Sequence, residues 1–282
     1  MEIMITPAEL AQAQMTEAHL AQAIAAVRSD GYVVLADVVD HAHLDTLRER
    51  MEADSQILLK AHKWGGAGEI PGHLQQGPPP FAPYVFADIV ANPFATQVTK
   101  AILGEGVYNR FYNGNANCPG SGTQPLHPDT PHLWPNMAVA HPPASLVVNV
   151  SLVDVSEANG ATELWPGTHL ISINRGPISA EIEAQRRADV PPVRANARKG
   201  SLLIRDMRLW HRGVPNQSNT IRHMIALVHN IKWLQRGDPL LFNTGCEDAF
   251  PAGDLDHNVQ FTDKPLEYLF TRTPTIVEAS QA

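Results

Sequence analysis

Cysteine is scarce. Cys118 and Cys246 are the only two in 282 residues, too few for a disulfide framework, so a reducing, cytoplasmic setting is the expectation. Charge is sparse as well, at 18% of residues, and the net balance is −8 with no long basic run. Nucleic-acid binding rests on Lys and Arg clustered against phosphates, so no nucleic-acid partner is expected. No run of 18 apolar residues occurs, so no membrane-spanning helix is expected. The opening "MEIMITPAEL" has neither a positively charged start nor a long apolar stretch, and no signal peptide is expected there. No internal repeat is visible. What the chain does carry is apolar mass, 44% of its residues, enough for a sizeable core. These exclusions leave a small molecule as the expected partner; the oligomeric state stays open.

The text changes character along its length, and one domain over 1–282 is expected. Helical spacing runs through 6–29, where Thr6 and Pro7 read as a cap and first turn. "GYVVLADVV" at 31–39 reads as a strand, and further helices are expected over 40–61 and 84–103, the last ending at Gly104. Between those two helices lies a Gly- and Pro-rich loop, "HKWGGAGEIPGHLQQGPPPFAP", a candidate pocket wall. From about 105 to 235 short β-like runs follow one another, interrupted by one helical insertion, "ISAEIEAQRRAD". Short strands at short spacing suggest a sandwich or barrel. The expected fold is therefore mainly β with a helical N-terminal layer (about 1–104) on a jelly-roll, cupin-like core. The tail over 236–282 receives no assignment.

Chemistry concentrates in "TQPLHPDTPHLWP" at 123–135. Its four prolines forbid a helix. A His-x-Asp pair proves little alone, since about 0.7 matches are expected by chance from 13 histidines and 15 aspartates. A second pair, His43 and Asp45, falls in a helical text, where residues two apart point to different faces. His127 and Asp129 flank a proline in an extended segment, where i and i+2 project to one side. With a second histidine such a pair makes the 2-His-1-carboxylate triad of non-haem Fe(II) oxygenases, which leaves coordination positions open. His211, in the strand–turn–strand text "GSLLIRDMRLWHRGVPNQSNTIRHMIAL", is the candidate. Arg222 begins the next strand, and an antiparallel return would bring it alongside. There it could clamp the distal carboxylate of a 2-oxoacid.

Together "GNANCPGSGTQPLHPDTPHLWP", "NGATELWPGTH" and "LWHRGVPNQSNTIR" resemble the phytanoyl-CoA dioxygenase family of Fe(II)/2-oxoglutarate oxygenases, over roughly 30–235. The resemblance implies a double-stranded β-helix, Fe(II) on His127, Asp129 and His211, 2-oxoglutarate as cosubstrate on Arg222, and O2 as oxidant. Asn216 and Ser218 match the family's Asn-x-Ser before that arginine. Some related oxygenases place a serine two positions after the arginine, whereas Met224 stands here. A further hydroxyl or amide for the cosubstrate is then expected from Thr162, Asn115 or Gln76. Because Asp129 supplies a carboxylate where related halogenases leave room for a halide, the resemblance implies hydroxylation, or a hydroxylation that collapses to a ketone. It also points to a polar natural product such as an amino sugar or glycoside, with amino acids and terpenoids open.

His73, Gln75, Gln76, His132 and Trp134 are the candidate substrate contacts, since polar groups with aromatic company suit a hydroxyl- or amine-bearing ligand. On the residues alone two other classes stay open: a different metal enzyme on the same barrel, such as a hydrolase or isomerase, and a non-catalytic small-molecule binder.

Overall fold

The computed structural model describes residues 1–134, 137–172 and 178–277. After a short strand β1 (Glu2–Met4), the helix expected over 6–29 is two helices, α1 (Pro7–Gln12) and α2 (Glu17–Asp30). Ala13 ends the first in the left-handed region at φ 51°, and Thr16 caps the second through His19 N–H. β2 (Tyr32–Ala36) and α3 (His41–Lys60, capped by Asp40) fall where expected. The Gly/Pro-rich stretch contains one short strand, β3 (His73–Gln75). The helix expected over 84–103 is also divided, into α4 (Ala87–Val90) and α5 (Pro93–Leu103). Asn92 causes the break: its side-chain oxygen accepts from the N–H groups of Phe94 and Ala95, and Pro93 opens the new first turn.

The β region comprises β4 (Tyr108–Asn117), β5 (Ser145–Ser151), β6 (Glu163–Leu164), then α6 (Ala180–Asp189), β7 (Val193–Arg194), β8 (Leu202–Asp206), β9 (His211–Arg212) and β10 (Arg222–Asn230). The tail is not structureless. It forms β11 (Leu240–Asn243), β12 (Asp256–His257), β13 (Val259–Thr262), β14 (Leu266–Glu267) and β15 (Thr275–Ile276). The large sheet runs β1-β2-β8-β5-β10-β4-β12, with β3 also on β4; the small one runs β7-β6-β9. An isolated bridge between His127 and His211 extends the small sheet by one rung. The two sheets make the jelly roll of a double-stranded β-helix.

Strand alternation divides the large sheet into two faces. Leu146, Val148, Val150, Leu202, Ile204, Ile225 and Leu227 join α2, α3 and α5 in the main core through Val27, Leu47, Met51 and Val98. Their neighbours Val147, Asn149, Arg205, Met224, Ala226 and Val228 project to the opposite face and line a cavity. A strand side chain reverses face at each residue, so one run of sequence builds both the helix-covered core and the cavity wall. The decoy pair separates as expected: His43 bonds to Asp88, while Asp45 pairs with Lys199. No described helix is long and apolar enough to cross a membrane.

Candidate metal centre

His127 and His211 face each other across the bridge that ends the small sheet. Their backbones exchange two hydrogen bonds, at 3.2 and 2.9 Å, and their rings lie 4.5 Å apart between centroids. Each imidazole donates its Nδ1–H to a backbone carbonyl two residues earlier, His127 to Pro125 (2.8 Å) and His211 to Leu209 (3.0 Å). That fixes the tautomer and leaves Nε2 as a lone pair on both rings. Asp129 is held by its N–H on the Met207 carbonyl at 2.9 Å. Its Oδ1 lies 4.0 Å from His127 Nε2 and 3.6 Å from His211 Nε2. The three donor atoms lie within 4.8 Å of one another.

Arg205 occupies the other carboxylate oxygen, with Nη2 2.7 Å from Asp129 Oδ2. Burial alone would raise the Asp129 carboxyl, but the Arg205 guanidinium beside it holds it below the usual carboxylate range. Burial, reinforced by Arg205, pushes His211 down to about 3, so it is a neutral donor at physiological pH. Two imidazole Nε2 atoms and one carboxylate oxygen, with the remaining polar atoms tied back, fit a divalent iron and face open cavity space.

Arg222 lines the same cavity, of about 390 Å³. It opens β10 opposite Asn117 of β4 and is only 3% exposed. Nη2 donates to the Gly160 carbonyl at 3.1 Å, Nη1 lies 3.8 Å from Met224 Sδ, and Nε is buried without a partner. No carboxylate of the described residues pairs with it. Burial, with Arg194 nearby, pulls its pKa to about 10, so it stays cationic at neutral pH. A buried, unpaired guanidinium is costly unless an anion joins it.

Other expected site residues divide. Asn115, Thr162, His73 and Gln75 line the cavity. Gln76 does not: it is fully buried, accepting from Ser55 Oγ at 2.7 Å and donating to the Met51 carbonyl at 2.6 Å. Alternation turns Gln76 away from Gln75 and under α3. Ser218 sits at a surface turn, bonded to Asn216. His132 and Trp134 lie around His141, with Trp134 55% exposed, and neither lines the cavity. Pro135, which closes "PHLWP", is outside the described residues. Residues the motif reading missed include Arg205, Asn117 and Asn149. Arg205 and Asn149 are polar residues inside apolar strand texts, and that was the available signal; Asn117 ends the Asn-rich run of β4 and carried none.

Residues 27–224 match the family model described as phytanoyl-CoA dioxygenase. The chain belongs to that family. A curated relative, the dioxygenase andF of Emericella variicolor, is 25% identical over 146 residues, 49% of this chain. The match spans about half (47%) of that relative's length. Among solved structures, HygX from Streptomyces hygroscopicus, bound to nickel, 2-oxoglutarate and hygromycin B, superposes with TM-score 0.55. It is 15% identical, and the match covers 86% of this chain and 97% of HygX. The non-heme alpha ketoglutarate dependent carbocyclase SnoK from nogalamycin biosynthesis gives TM-score 0.54 at 17% identity, covering 79% of this chain and 89% of SnoK. These likenesses show the shared fold.

Proposed function

We propose that this chain is an Fe(II)- and 2-oxoglutarate-dependent dioxygenase that hydroxylates, or further oxidises, a C–H bond of a small polar metabolite in natural-product biosynthesis. The observation that carries the reading is one cavity holding both an open His-Asp-His triad and the buried, unpaired Arg222. A zinc hydrolase or an isomerase would have no use for that guanidinium. Family membership, and likeness to SnoK from nogalamycin biosynthesis and to HygX with hygromycin B bound, support the setting.

His127, Asp129 and His211 would hold the iron, and Arg222 the distal carboxylate of 2-oxoglutarate in a charge-assisted fork. When bound, iron supplies oxygen activation coupled to decarboxylation of 2-oxoglutarate to succinate and CO2. The chain's own contribution is placement. Arg205 keeps one oxygen of Asp129 occupied so that the other faces the histidines. Asn115, Thr162 and Gln75 offer the polar contacts that Met224 cannot, and Val147, Ala226 and Val228 keep the neighbouring wall dry.

The test is calorimetric titration of 2-oxoglutarate under anaerobic Fe(II), followed by oxygen uptake and succinate release with a metabolite panel and mass spectrometry of any oxygenated hit. Absence of both metal-dependent 2-oxoglutarate binding and succinate release would overturn the assignment.

A further inference from the structure

The cavity has two chemically different ends. Along the cavity-facing row of β10, Arg222 and Val228 stand roughly 20 Å apart, at about 3.3 Å per residue. The Arg222 end is polar. At the other end Val147, Ala226 and Val228 form a small buried cluster with Phe111 and Met207, separate from the main core. All five line the cavity.

A bulge shapes this far end. Pairing of β10 with β4 shifts register between Leu227 and His229, so Arg110 and Phe111 together oppose Val228. Buried Asn109 fills the interrupted ladder, its Oδ1 accepting from Val228 N–H at 3.2 Å and from Phe111 N–H at 3.3 Å. Regular alternation would send one of Arg110 and Phe111 away; the bulge lets both line the cavity. The tail adds Arg272, whose carbonyl accepts from Asn113 Nδ2 and whose guanidinium lies 5.8 Å from the Phe111 ring centroid.

Four arginines therefore line the cavity, Arg110, Arg205, Arg222 and Arg272, against one acidic residue, Asp129. Arg205 is taken by Asp129, and Arg222 suits the oxoacid. Arg110 and Arg272 have no acidic partner among the described residues, in a chain whose net charge is −8. Their placement beside an apolar floor is the signature of a site for an amphipathic anion.

Resting on the dioxygenase reading, we propose that the substrate carries an anionic group, carboxylate or phosphate, held by Arg110 and Arg272, with an apolar body over Phe111, Val147, Ala226 and Val228. This differs from the hydroxyl- or amine-bearing ligand expected from the sequence. A cationic amine at this end would meet two unpaired guanidiniums without a free carboxylate to receive it.

The experiment uses full-length protein loaded with Mn(II) and saturating 2-oxoglutarate. Calorimetry measures binding of 4-phenylbutyrate, phenylpropyl phosphate, 4-phenylbutanol and 4-phenylbutylamine. At least one anionic probe is expected to bind ten times or more tighter than the alcohol, with the amine weakest, and the preference is expected to shrink with added salt. Comparing the two anions separates a carboxylate site from a phosphate site. Arg272→Glu and Arg110→Ala are expected to abolish the anion preference while leaving 2-oxoglutarate affinity within twofold; both positions are exposed, so the fold is expected to persist. Equal binding of anion and alcohol, or a preference that survives both substitutions, overturns the proposal. Loss of 2-oxoglutarate binding in the unsubstituted protein would instead strike the dioxygenase reading, so the two failures are distinguishable.

Discussion

At the scale of single residues, the centre depends on which lone pairs are left free. His211 donates Nδ1–H to Leu209 and keeps Nε2 for a metal. His211→Ala is expected to lower Fe(II) affinity at least tenfold and to abolish turnover, with a near-wild-type circular dichroism spectrum; metal titration of the variant checks this, and unchanged affinity would make another side chain the third ligand. Arg205 acts one step back. Its removal relieves a cation beside the iron, which favours binding, but frees both oxygens of a carboxylate that must present only one. Loss of orientation is expected to dominate, as such outer partners contribute on the order of 10–100-fold in metal affinity or activity. Arg205→Leu is therefore expected to bind Mn(II) more weakly, and a tighter-binding variant would show that repulsion wins. The triad was legible in the sequence because Pro128 holds an extended His-x-Asp, a local fact. Arg205 was not, because its partner Asp129 lies 76 positions earlier and only the fold brings the two together.

Elements were legible where caps and periodicity agree. Asp40 before α3 and Gly104 after α5 carry terminal signals, and both ends lie where those residues stand. The breaks at Ala13 and Asn92 were missed, the first because alanine is a poor left-handed residue, the second because apolar periodicity on both sides outweighed the Asn92-Pro93 cap signal. Glu9 explains the first break. Its carboxylate accepts from Thr6 N–H and Oγ–H (2.9 and 2.8 Å) and from Thr16 N–H (2.7 Å), which ties the N-cap of one helix to the N-cap of the next. Burial raises its pKa, but the Thr16 and Thr6 hydrogen bonds win and bring it from the ordinary 4.5 to about 2. Since the folded value is the lower one, this contribution is complete above about pH 4.5 and is lost as pH falls towards 2. Wild type is thus expected to lose urea stability over that window, and Glu9→Gln to be weaker at pH 7 with a flatter profile. A variant as pH-sensitive as wild type would remove Glu9 as the cause. Gln76 likewise belongs to an element junction. Gln76→Ala takes a buried donor from the Met51 carbonyl and leaves Ser55 Oγ with His223 Nε2 alone, at about 1–3 kcal/mol in all. Its urea midpoint is expected to fall while 2-oxoglutarate affinity stays within threefold, the opposite of what a cosubstrate contact would give.

On the scale of the whole molecule, the small sheet carries His127 and His211, whereas the large sheet carries Arg222 on β10. A metal alone engages the triad, and 2-oxoglutarate alone has only Arg222 and its polar neighbours. Bound together they span from one sheet to the other, so their stabilisation should be more than additive. Ligand present at 100 times its dissociation constant stabilises by about 2.7 kcal/mol, which for a chain of this size corresponds to roughly 5 °C in Tm. Mn(II) plus 2-oxoglutarate is therefore expected to raise Tm by several degrees beyond the sum of the separate increments. In Arg222→Ala the Mn(II) increment is expected to persist and the 2-oxoglutarate increment to vanish, because the distal carboxylate loses its charged partner. His211→Ala should erase the Mn(II) increment and the excess over additivity, since 2-oxoglutarate then has no metal to reach. Thermal scans of the three proteins with each ligand alone and with both decide it. Additive increments in wild type, or an intact 2-oxoglutarate increment without Arg222, would mean that the cosubstrate does not bridge the sheets.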